Sequence, residues 1–249
     1  MLTLPLTSRL LRDFRKCPAL FHRKQSGLLP QSEPKTYLIE NATRCLILQG
    51  REEFDRRYLI GGDRPINPRT GAPFGTETKA YAEWRATVEQ DILTEEEGLL
   101  VINMAAAVSS HDEAAKLLHK DGEAFKRVDA QFHGLPATAV IHWLSCDDEI
   151  VEVCIINDLD RFEQQARDGD YVHRLEFQER LVFGSANTEG CFCIAVERKE
   201  PFRVGVWELG VHSLADAYGD NFDAAESIKD CDHSGLWPTR YESLRTLEY

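Results

Sequence analysis

The chain has 249 residues, 43% hydrophobic and 29% charged, which suits a globular fold with a sizeable core and excludes a disordered polypeptide. Its formal net charge of −13 works against phosphate binding by the surface as a whole and leaves room for one local basic groove. No apolar run approaches the ~18 residues of a membrane span, so no membrane association is expected.

The opening MLTLPLTSRLLRDFRK lacks the basic, apolar and small-residue order of a signal peptide. Seven cysteines without a CxxC pair predict reduced thiols, and the expected compartment is the cytoplasm. Leu10, Leu11, Phe14 and Cys17 fall at helical spacing, with Ser8 as a cap and Pro18 as a stop. This is the most basic segment of the chain; it reads as a solvated amphipathic face, with contact to a phosphate backbone as the alternative. Residues 27–36 read as a loop, Ile39 to Leu48 as a second helix, and Leu59-Ile60 as extended. Gly61 to Thr78 is a long loop in which neither GxxxxGK[ST] nor GxGxxG occurs. Lys79 to Thr87 reads as a helix. Thr94 caps another, with a carboxylate at the third helical position, running to about Ser110, and Asp112 to His119 follows as a short one.

The strands come later. Ala137 to Ile141 and Ile150 to Ile156 are rich in β-branched residues and flank a Ser-Cys-Asp-Asp turn, which predicts a hairpin. The second run is almost unbroken apolar, as for a central strand covered on both faces. Glu152 interrupts it. A carboxylate there costs several kcal/mol unless it is paired, metal-bound or at the strand end. Asp158 to Ala166 and Tyr171 to Val182 read as helices, and Cys191 to Glu197 as a strand with Phe202 to Leu209 as its hairpin mate. Cys191 and Cys193 face one side, as small core hydrophobes or, alternatively, metal ligands. Leu214 to Lys229 is the last helix, its Asp216, Asp220 and Asp223 forming a solvated acidic face. Asp230-Cys231-Asp232-His233 gathers potential ligands, though adjacent residues rarely point at one ion. No GxSxG elbow and no HExxH is present. Helices followed by β-β-α-α-β-β-α predict an α/β class with α+β-like order. One domain is expected over 1–249, mainly helical in 1–125, with the core strands and helices of a mixed central sheet in 126–249.

Several short stretches, in shared order and spacing from Leu10 to Trp237, resemble the nuclease domain of RecE-type exonucleases (exonuclease VIII), a branch of the PD-(D/E)XK superfamily. They are Cys17-Pro18-Ala19, Leu46-Ile47-Leu48 followed by Glu52 to Tyr58, Ile92-Leu93-Thr94-Glu95-Glu96, Gly134-Leu135-Pro136, Val196-Glu197 with Pro201, and Trp237-Pro238. The resemblance implies a restriction-endonuclease-like fold in which acids on two core strands bind magnesium or manganese. A lysine two residues after the second acid then orients the attacking water.

Carried onto this chain, the first acid position holds His142, the second Glu152, and the lysine position Cys154. A histidine of the early helix falls on Arg44, an earlier acid near Lys126 or Arg127, and a Gln and Tyr of a later helix near Leu175 and Glu179. The expectation is a catalytically degenerate pseudo-nuclease with no cofactor, acting by binding DNA through a local groove or by binding a protein partner. The net charge of −13 tilts this toward the protein partner or a DNA-mimicking or structural role. The alternative is an active metal-dependent exodeoxyribonuclease of DNA recombination or repair, using magnesium or manganese. Its rearranged site would have His142 and Glu152 as metal ligands, manganese or zinc being the softer choices, with Cys154 nearby. A shift of alignment toward Asp147 and Asp148 restores acids and no lysine. The family forms rings, so a homo-oligomer is a further expectation.

Overall fold

The computed structural model describes residues 3–29, 36–62, 64–186 and 189–246. α1 (Ser8–Lys16) starts where the Thr7 side chain accepts from the Leu10 N–H, and extended backbone at Cys17 separates it from α2 (Pro18–Gln25), which opens on proline. α3 (Thr36–Arg57) is kinked at Gly50, whose φ of 80° only glycine adopts without strain. β1 (Tyr58–Ile60), α4 (Lys79–Arg85) and β2 (Asp91–Leu93) follow, with β1 and β2 paired in parallel. α5 (Glu95–Ser109) carries the anticipated capping box between Thr94 and Glu97, and α6 (Asp112–Leu118) closes the helical portion.

The main sheet runs in sequence order: β3 (Gly122–Phe132), β4 (Leu135–Ser145), β5 (Ile150–Ile156), β6 (Cys191–Glu197) and β7 (Val204–Glu208). Only β5 and β6 are parallel. Their crossover is a 3-10 turn at Leu159–Arg161, then α7 (Phe162–Asp168) and α8 (Tyr171–Phe183). α9 (Val211–Ser234) ends the regular structure. Every residue of β5 is buried, as its apolar run requires. Val151, Val153 and Ile155 pack with Met104 and Val108 of α5, while Ile150, Cys154 and Ile156 pack with Leu175 of α8 and Phe162 of α7. Helices therefore cover both faces of a mixed sheet. Phe14 and Phe21 join Phe132 and Phe177 in a further cluster that ties α1 and α2 to the sheet and α9. No helix among the described residues is long and apolar enough to cross a membrane.

Several elements depart from expectation, α2 and β2 among them, neither of which was foreseen. The helix expected to end near Leu48 does break at Gly50, where φ is 80° and ψ −177°, and a further helical stretch that was not foreseen continues from there to Arg57. The helix expected from Asp158 begins as a 3-10 turn, with α7 starting at Phe162. β3 was not foreseen, and residue 125 lies inside it, so the sheet begins before the division placed there. Its charged sequence GEAFKRVDAQF and the positive φ of Phe125 break the alternation that marks a strand.

Candidate functional site

β4 and β5 pair only at Trp143–Val151 and Leu144–Ile150. Beyond that point β4 turns away and is bridged by Leu6, whose N–H donates to Pro136 and whose carbonyl accepts from Thr138. The parting strands leave Val153, which is in register with Ile194 of β6, without a backbone partner on the β4 side, and buried backbone groups need one. Two side chains supply it. The Val153 N–H donates to His142 Nδ1 at 3.2 Å, and its carbonyl accepts from Arg44 Nε at 3.0 Å. Arg44 also reaches Glu40 at 3.3 Å, and Glu40 is shared with Arg198.

Glu152 stands beside this opening with only 1% of its side chain exposed. Its Oε1 lies 2.9 Å from Arg174 Nη2 and 3.0 Å from His142 Nδ1. Neither approach is aligned as a hydrogen bond, so charge rather than direction holds the carboxylate. Burial pushes the His142 pKa down to about 4, against the pull of Glu152 and helped by Arg44 and Arg174, so the ring is neutral at pH 7. Its Nδ1 already accepts from Val153. The countercharge of Glu152 is thus the Arg174 guanidinium. Burial works against that charge, and Glu152, acting together with Cys154, Tyr171 and Cys193, outweighs it and raises the Arg174 pKa. Arg174 also sits over the Tyr171 ring at 4.7 Å.

Two cavities meet at this pair. One, of about 510 Å³, is lined by Arg9 and Arg12 of α1, Tyr37, Glu40 and Arg44 of α3, and His142, Cys154, Tyr171 and Arg174. The other, of about 230 Å³, shares His142 and Arg174 and adds Ser8, Arg127, Glu152 and Gln178. The larger one gathers four guanidiniums against one lining carboxylate, Glu40. Arg9 and Arg12 have no ion-pair partner among the described residues. A separate cavity of about 540 Å³, between Gly61-Gly62 and the start of α5, carries Glu95 and Glu96 and shares no residue with this site.

Five of the residues carried over from the sequence resemblance are brought together here: Arg44, His142 and Cys154 line the larger cavity, Glu152 abuts His142, and Arg127 lines the smaller cavity. Others are not. Asp147 sits in the β4–β5 turn, paired with Lys120 at 3.1 Å, and Lys126 pairs with Glu123 on β3. Leu175 is fully buried in the core and Glu179 is buried too. The residues of α8 that reach the site are Tyr171, Arg174 and Gln178, three and seven positions apart along one helical face. Arg174 is the group that sequence reasoning missed; the only signal was this polar stripe.

The residues present do not fit a magnesium or manganese ion. Hard cations take several oxygen ligands, and this site offers two carboxylates, Glu152 and Glu40, each already facing a guanidinium. The His142 nitrogen facing Glu152 is committed to backbone. Among the described residues no group of three or more His, Cys, Asp or Glu could hold a metal ion, the Asp230 to His233 stretch included. A dication ~5 Å from one guanidinium would be repelled by roughly 6–7 kcal/mol at an effective dielectric near 20.

No protein-family model matches the chain, and no curated protein does. Among solved structures, a candidate exonuclease from Eubacterium rectale aligns with a TM-score of 0.64 at 11% identity, over 98% of this chain and 90% of that one. An alkaline exonuclease from Laribacter hongkongensis aligns with a TM-score of 0.32 at 13% identity, over 65% of this chain and 88% of that one, and adds no weight. The likeness to the Eubacterium rectale structure is one of fold alone, and in this chain that fold is a five-stranded mixed sheet between layers of helices.

Proposed function

We propose that this chain binds nucleic acid through the phosphates, in the arginine-lined cavity, and does not cut it by a magnesium- or manganese-dependent route. In this reading it is a relative of the RecE-type exonucleases whose catalytic positions have been exchanged. One observation carries the reading: Arg9, Arg12, Arg44 and Arg174 converge on a single cavity in a chain of net charge −13. Guanidiniums suit phosphate because their planar fork matches its oxygens and their charge is permanent. An acidic surface elsewhere confines binding to the cavity. The overall charge had favoured a protein partner; its distribution favours nucleic acid.

The test is the salt dependence of binding, read by fluorescence anisotropy of a labelled DNA oligonucleotide. Four phosphate contacts correspond to a slope of log K against log salt of roughly −3 to −4. Arg9→Ala and Arg12→Ala remove exposed or half-exposed guanidiniums, so each should weaken binding and flatten the slope by about 1 with the fold unchanged. Absence of binding at low salt, or variants that bind like the wild type, would overturn the proposal.

A further inference from the structure

We infer that Arg174 is the resident cation of this site, its guanidinium taking the place of a divalent ion opposite Glu152. The inference stands whether or not nucleic acid is the ligand of the cavity. Glu152 lies in the middle strand of the sheet, almost wholly buried, and a carboxylate in that position requires a partner of opposite charge. Arg174 supplies it at 2.9 Å from a helix that crosses over the strand. His142, at 3.0 Å, cannot serve, because its Nδ1 receives the Val153 N–H. Arg44 turns its Nε to the Val153 carbonyl and its Nη2 to Glu40. One carboxylate and one permanent cation remain, and they meet.

The chemical consequence is specific. A guanidinium can neutralise an anion and orient it through N–H donors, as a metal ion does. It has no open coordination position, so it cannot bind a water and lower its pKa to make hydroxide. Arg174 borders both cavities, so an anion entering the larger one approaches the same guanidinium that Glu152 holds. Arg174 is therefore a positioning residue for whatever anion binds there, and a divalent cation is excluded from the place it occupies.

Thermal melting of the full chain in EDTA and in millimolar manganese chloride tests this, with manganese electron paramagnetic resonance as a second readout. The wild type should melt at one temperature in both solutions and leave the manganese signal that of the free ion. Arg174→Gln should lower Tm in EDTA. Arg174→Glu, which sets two carboxylates side by side, should melt lower still and recover several degrees in manganese. That recovery should vanish when Glu152→Gln is added. A wild-type Tm that rises in manganese, with bound ion lost in Glu152→Gln, would overturn the inference, and so would an Arg174→Glu protein indifferent to manganese. Should the Arg174 variants not fold, the wild-type melting and resonance measurements decide it alone.

Discussion

Val153 donates its N–H to His142 Nδ1, eleven residues back along the chain, at the point where β4 abandons β5. Arg44 completes the same residue by donating to its carbonyl. Two residues that the sequence resemblance singled out as site candidates thus finish a strand.

The Arg44 contact has a measurable consequence. Arg44→Met keeps the aliphatic stem and leaves the Val153 carbonyl without its donor, at a cost of about 1–3 kcal/mol. For a chain of this size each kcal/mol lowers Tm by roughly 2–4 °C. Arg44→Lys keeps the charge beside Glu40 and lacks the fork that serves both acceptors, so it should recover only part of the loss. Denaturant unfolding of the three proteins checks this; a change within about 0.5 kcal/mol for Arg44→Met would contradict it.

His142 should make the fold acid-sensitive in a defined window. Its folded pKa, about 4, lies below the ordinary value of 6.5, so the unfolded chain binds the proton first as pH falls. Stability from this group is complete above pH 6.5 and is lost between 6.5 and about 4, amounting to roughly 3 kcal/mol. Glu197 acts later. Its hydrogen bond from Arg203 holds its pKa near 2, so its contribution goes as pH drops from the usual carboxylate range toward 2. His142→Asn, whose amide oxygen can accept from Val153 without titrating, should flatten the profile between 6.5 and 4 and leave the lower limb intact. A variant profile parallel to the wild type across that window would rule the assignment out.

Gly98 in α5 is fixed by contact rather than by conformation. A Cβ there would stand 2.5 Å from Ile60 Cγ2, so β1 lies directly on the helix backbone. Gly98→Ala should gain up to about 1 kcal/mol of helix propensity and lose about 1–3 kcal/mol to overpacking, a net destabilisation. Trimming the opposing side chain in the Gly98→Ala/Ile60→Val double variant should restore part of it. Additive losses in that double-mutant cycle would contradict the contact.

The sheet interior was legible because its residues state their burial. Cys191 to Glu197 and Ile150 to Ile156 were bounded correctly from apolar β-branched runs alone. β3 was not, since an edge strand ion-paired along its length, Lys126 with Glu123 and Arg127 with Asp129, carries no such pattern. At the site, Glu152 announced itself as a buried acid in need of a partner, and the family resemblance, which carries its first acid position onto His142, paired the two. Arg174 did not announce itself. An arginine on a helix reads as solvated, and only tertiary placement of α8 over β5 turns it into the counterion of Glu152.

Incubation of labelled linear duplex DNA with the wild-type protein and magnesium or manganese, followed on a gel, tests the central claim most directly. Duplex that is retarded in a salt-dependent way and stays full length is the expected result. Stepwise release of nucleotides that requires the metal and disappears in Glu152→Ala would contradict it.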